Sequence, residues 1–115
     1  MWVAGFDMIY ALQDVEFDRQ MRLSSLPARF GEKATMRVMC SLHFLCVVCW
    51  AAAGWMAGLG WIYAAGLFLI VLFLIRQHWL LRSFGLQKIE EAFFTMNAVV
   101  SIVIFVAVLT DLSLR

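Results

Sequence analysis

Four residues near the N-terminus have the types and the spacing to do chemistry: Asp7, Tyr10, Asp14 and Asp18, within DMIYALQDVEFDR. At about 100° per residue, their offsets of three, four and four place them within an arc of roughly 80° on a helix. One face therefore carries three carboxylates and a phenol, while Glu16 falls on the other side. Like charges one turn apart repel by roughly 0.2–0.5 kcal/mol per pair, and an apolar neighbourhood sharpens the repulsion. A positive partner is expected in front of them.

Asp14 and Asp18, as D-x-x-x-D on one face, suit Mg²⁺, a hard ion that takes one or two carboxylates and completes its shell with water and phosphate oxygens. Two carboxylates alone make a weak metal site. They make a good one when a diphosphate supplies further ligands and arginines neutralise the rest. Arg19, Arg22 and Arg29 follow directly, so the pattern points to a diphosphate bound at the mouth of an apolar helical cavity. A solvated helix end, salt-bridged to those arginines, would need only Asp14 and Asp18. Asp7 argues against it, because it lies one to two turns deeper among Phe6, Met8 and Ile9. An acid there costs roughly 2.5–3.5 kcal/mol on insertion scales and reads as a functional group. The alternative from a different class is a small cation carrier or channel subunit that uses the three aligned Asp residues as ion steps.

These residues must be positioned by membrane helices. The chain has 115 residues, is 64% hydrophobic with mean hydropathy +0.88, and is only 15% charged, whereas a soluble domain is nearer half apolar and a quarter charged. The motif helix is expected over residues 1–25, ending near Leu23 to Ser25 because Pro27 disfavours helix before it. Gly31 offers a turn. Spans are expected at about 36–57, 61–78 and 92–110, each long enough at about 1.5 Å per residue to cross a core of roughly 30 Å. The charge-free Gly58-Leu59-Gly60 hinge joins the first two spans as a hairpin. Trp50, Trp55, Trp61 and Tyr63 cluster around it as an interfacial belt would. Between Arg76 and Glu91 a short amphipathic helix is expected at the interface. The fold class is thus all-α, a polytopic membrane helical bundle with three complete transmembrane helices and the end of a fourth carrying the Asp-rich motif.

Charge distribution sets the expected orientation. Residues 19–37 hold five of the nine Lys and Arg, residues 76–91 hold three, and the Gly hinge holds none. Both connectors should therefore face the cytoplasm, with the hinge and the C-terminus on the far side. The basic residues never interleave with aromatics along a polar face, so no nucleic-acid footprint is present. Cys40, Cys46 and Cys49 all lie in one apolar run and read as buried small hydrophobes. With His43 they form a C-x-x-H-x-x-C-x-x-C series, but steps of three put Cys40 and Cys49 on opposite sides of a helix. Trp2 to Phe6 reads as the last turns of an apolar helix without a beginning, and the chain is expected to be a piece of a longer membrane protein.

GFDMIYALQDVEFDR, with the S-L-P-A-R-F-G of Ser25 to Gly31, resembles the second aspartate-rich motif of UbiA-type aromatic prenyltransferases, most of all the 4-hydroxybenzoate polyprenyltransferase branch. Ala92, Phe93, Phe94 and Asn97 match the family's last span more weakly. The resemblance implies that residues 1–115 are the C-terminal part of a single UbiA-like membrane domain in a bacterial inner membrane, its motif side cytoplasmic. It implies a Mg²⁺-dependent prenyltransferase of quinone biosynthesis, for ubiquinone or menaquinone, moving a polyprenyl group from its diphosphate to an aromatic acceptor such as 4-hydroxybenzoate. In such enzymes the diphosphate leaves, an electron-rich ring attacks the allylic cation, and a proton is lost.

Carried over by position, Asp14 and Asp18 would hold the metal, while Arg19, Arg22 and Arg29, read from their place directly after the stripe, would bind the diphosphate. Asp7 and Tyr10 would line the cavity below and act on the acceptor or on developing positive charge. Two departures stand out. The family's first motif, N-D-x-x-D-x-x-x-D, has no counterpart in this sequence, so the N-terminal half of the same domain is an expected partner. Ser24 stands where many members have a basic residue, and Arg22 where many have Gly.

Overall fold

The computed structural model describes residues 2–84 and 89–114, and the side chains of residues 2–83 and 95–114. All regular elements among them are α-helices: α1 (Trp2–Gln13), α2 (Val15–Gln20), α3 (Leu26–Phe30), α4 (Glu32–Met56), α5 (Trp61–Phe84) and α6 (Ile89–Ser113). They divide into two compact units, Met1–Cys46 and Val47–Arg115. Three helices are long and apolar enough to cross a membrane, at Glu32–Met56, Trp61–Ser83 and Thr95–Ser113, with hydropathies of 1.8, 1.8 and 2.0. Only 17–28% of those windows is buried within the protein, so their apolar surface faces mostly outward. An outward apolar surface is what lipid stabilises and water does not.

In the first unit, Gly5, Phe6, Ile9 and Leu12 form the buried face of α1. Phe6 meets the His43 ring at 5.3 Å between centroids, and Trp2 meets it at 5.2 Å. A Cβ on Gly5 would fall 2.4 Å from His43 Nε2, so glycine is what lets α1 come this close to α4. On α4 itself Thr35, Met39, His43 and Cys46 recur at helical spacing and are all buried.

The second unit is organised by its Gly hinge. α5 and α6 pack along each other. The buried residues of α5, Tyr63, Gly66, Ile70, Leu74, Gln77 and Leu81, recur every three or four positions as a single seam. A Cβ on Gly66 would lie 2.6 Å from Ala107 Cβ, so glycine there lets the two helices approach closely. Asp111, on α6, is 5% exposed. Its carboxylate accepts from the Gly60 N–H at 2.8 Å and the Tyr63 N–H at 3.3 Å. These are donors that the first turn of α5 cannot satisfy internally, so α6 supplies the cap of α5. The Tyr63 hydroxyl donates to the Trp50 carbonyl at 2.8 Å, and its ring occupies the space where a Gly54 side chain would stand.

Three expectations are corrected. Tyr63 is not part of an interfacial belt: it is buried, while Trp55 and Trp61 are 86% and 79% exposed. No separate helix begins at Arg76, because α5 continues without a break through Phe84; residues 85–88 lie outside the described residues. Of the cysteines only Cys46 is buried, with Cys40 intermediate and Cys49 exposed. An apolar run on a lipid-facing helix must place some of its residues outward.

Candidate functional site

The face of α1 opposite Phe6, Ile9 and Leu12 carries the acidic stripe. Asp7, Tyr10 and Asp14 are exposed and Asp18 is half-exposed. The helix is formally interrupted at Asp14, yet the hydrogen-bond ladder is not. The Asp14 N–H donates to the Tyr10 carbonyl at 3.1 Å, and the Asp18 N–H donates to the Asp14 carbonyl at 2.8 Å. These are i to i−4 bonds, so Tyr10, Asp14 and Asp18 stay one turn apart across the break.

Asp14 holds the N-cap position of α2, and its side chain makes no cap hydrogen bond. The cause is conformational. A capping side chain reaches back from an extended backbone, whereas Asp14, at φ −91° and ψ 5°, arrives from a preceding helix. Its carboxylate remains turned to the surroundings with Asp18 one turn on. The donor set of the pair is hard oxygen, which fits Mg²⁺ when phosphate and water complete the shell. Among the described residues, no group of three or more His, Cys, Asp and Glu is placed to hold a metal ion. Asp7 sits on the exposed face instead of packing among Phe6 and Ile9.

α2 ends at Gln20, earlier than the Leu23 to Ser25 expected from Pro27. The Arg22 N–H bonds the Arg19 carbonyl at 3.3 Å and the Leu23 N–H bonds the Asp18 carbonyl at 2.8 Å, with Arg22 at φ 55°. This is a Schellman ending, in which one residue in the left-handed region turns the chain out of the helix. Pro27 starts a helix instead of stopping one. It sits in the first turn of α3, where the Ser25 Oγ accepts from the Ala28 N–H at 3.4 Å. Gly31, at φ 84°, then makes the expected turn into α4.

Arg19, Arg22 and Arg29 are all exposed, and the Arg29 guanidinium lies 5.9 Å from the centroid of the Phe30 ring. α1, α2 and α3 pack on one another. The four stripe residues and the three arginines therefore belong to one compact unit. The sequence reading missed the polar residues of the second unit, above all Asp111. Its only signal was an acid at the end of an apolar span, which matches any span terminus.

The family model for the UbiA prenyltransferase family matches residues 1–99. A 4-hydroxybenzoate octaprenyltransferase from Francisella tularensis subsp. novicida is 28% identical over 105 residues, covering 91% of this chain and 36% of that protein. The enzyme of the same name from Methylibium petroleiphilum is 29% identical over 114 residues, covering 99% of this chain and again 36% of the relative. The chain thus spans about a third of the length of the curated relatives it matches. The apo structure of a UbiA homolog from Aeropyrum pernix K1 superimposes with a TM-score of 0.79 at 32% identity, covering 96% of this chain and 39% of the other. The helices and the motif they carry are those of an integral membrane protein, and this chain belongs to the UbiA prenyltransferase family.

Proposed function

We propose that this chain supplies the second aspartate-rich half of a Mg²⁺-dependent site that moves a polyprenyl group from its diphosphate to an aromatic acceptor such as 4-hydroxybenzoate, in quinone biosynthesis. The observation that carries the reading is the pair Asp14 and Asp18: one turn apart, Asp14 exposed and Asp18 half-exposed, and with the Asp14 carboxylate not spent on the cap of α2. Family membership and the names of the relatives support the transferase chemistry.

Asp14 and Asp18 would hold the metal, whose charge would offset that of the departing diphosphate. Arg19, Arg22 and Arg29 bind the diphosphate oxygens, guanidinium groups being matched to phosphate geometry. Asp7 and Tyr10, two turns and one turn before Asp14 on the same face, line the space below the diphosphate. There a carboxylate and a phenol stabilise positive charge developing on the allylic carbon and orient the ring that attacks it. The basic connector supports a position of this face at the cytoplasmic surface of a bacterial inner membrane. The family's first motif, N-D-x-x-D-x-x-x-D, is not among these 115 residues. The purified chain alone is therefore expected to transfer no prenyl group, and detectable Mg²⁺-dependent transfer by it would overturn that expectation.

The deciding experiment is Mg²⁺ binding to the chain in lipid nanodiscs, with and without an isoprenoid diphosphate. On this reading the diphosphate raises Mg²⁺ affinity, and Asp14→Ala or Asp18→Ala removes the gain. An affinity that ignores the diphosphate would instead be the mark of a cation carrier.

A further inference from the structure

The two sides of α5 divide cleanly. With Trp61 taken as zero and about 100° per residue, the buried seam from Tyr63 to Leu81 falls between roughly 140° and 220°. Trp61 and Trp79 lie on the opposite line and are 79% and 61% exposed. They are separated by five turns of about 3.6 residues, so one stands above the other along the helix. The rise between them is about 27 Å, close to the roughly 30 Å of a hydrocarbon core. Phe68, Leu72 and Ile75 occupy the same face between them, and all three are exposed. An apolar stripe of bilayer length with an indole at each end is what a lipid-facing helix presents, because Trp settles at the two membrane–water interfaces. Packing against protein sets no such length.

The two ends of the stripe differ in charge. Trp61 follows the uncharged Gly58-Leu59-Gly60 hinge. Trp79 stands midway between Arg76 and Arg82, three residues from each, and both arginines are exposed. At about 100° per residue they flank the indole line by roughly 60° on either side. Two cationic positions around an indole N–H, at the depth of the membrane surface, suit phosphate oxygens. We propose that Arg76, Trp79 and Arg82 form a binding site for the headgroup of an anionic phospholipid, on a face of α5 covered by lipid and not by protein. The site lies in the second unit, uses none of the acidic stripe and is independent of the transfer reaction.

The test uses the whole chain. In vesicles of phosphatidylcholine brominated on its acyl chains, the fluorescence component lost in Trp79→Phe should be quenched more by bromine near the glycerol than by bromine at mid-chain. In native mass spectrometry from micelles doped equally with phosphatidylglycerol and phosphatidylcholine, phosphatidylglycerol should be retained in preference. That preference should fall about fivefold in Arg76→Gln or Arg82→Gln and about thirtyfold in the double variant, at about 1 kcal/mol per arginine. Lys33→Gln, on α4, removes the same charge elsewhere and should leave the preference intact. Equal retention of the two lipids, a preference that Lys33→Gln lowers as much, or a Trp79 component that bromine does not quench overturns the proposal. A dimer whose formation shields Trp79 from bromine assigns the face to a second copy and overturns it as well.

Discussion

The two compact units treat their acids in opposite ways. In Val47–Arg115 the Asp111 carboxylate is buried and accepts two backbone N–H groups at the start of α5. In Met1–Cys46 Asp7 and Asp14 are exposed and Asp18 half-exposed, and the Asp14 side chain makes no cap hydrogen bond. A buried carboxylate persists only where donors repay its lost hydration, and once repaid it has little left to offer a ligand. The lesson is that acid residues in a membrane protein sort by what their oxygens already hold. Asp111 belongs to the fold, and on the proposed reading the exposed stripe serves binding.

This contrast can be broken by substitution. The largest effect is expected from the double change Asp14→Ala and Asp18→Ala: diphosphate-dependent Mg²⁺ binding should fall by on the order of 100-fold or more, as expected when both carboxylate ligands are removed. Unfolding should move by less than about 0.5 kcal/mol, since both side chains are at the surface. Asp111→Ala should show the reverse pattern. Leaving the Gly60 and Tyr63 N–H groups without their acceptor is expected to cost about 2–4 kcal/mol, read by reversible unfolding in detergent, with pyrophosphate binding unchanged. A loss of binding in Asp111→Ala without a loss of stability would erase the distinction.

Smaller changes sharpen it. Gly54→Ala should destabilise by about 1–3 kcal/mol, because its Cβ would stand 2.1 Å from the Tyr63 ring and the hinge would have to open. Tyr63→Phe removes only the hydroxyl that donates to Trp50, and should cost about 1 kcal/mol. Gly58→Ala, which places a Cβ in the left-handed turn of α4, should cost about 1 kcal/mol as well. The same measurement on Arg22→Gly should show a gain. Binding should be indifferent to all three second-unit substitutions.

Much of this molecule is readable from local rules. Composition and run length identify the apolar helices, because crossing a hydrocarbon layer demands a fixed length and leaves few charges. The offsets of Asp7, Tyr10, Asp14 and Asp18 determine that they share a face, since helical geometry is a property of spacing alone. Gly31 and the Gly58 hinge announce their turns for the same reason, glycine being the residue that takes positive φ at no cost. Where the reading failed, the cause lay beyond the neighbouring residues. Pro27 is ambiguous between ending a helix and opening one, and the left-handed turn at Arg22, which no glycine marked, decided between them. The aromatic cluster at the hinge could not be divided into buried Tyr63 and exposed Trp61 without knowing which side of α5 meets its neighbours. Asp111 was unreadable because its partners, Gly60 and Tyr63, are 51 and 48 residues away in the chain. Spacing along one helix is a local quantity that the sequence carries; which acid is repaid by distant donors exists only once the helices have packed.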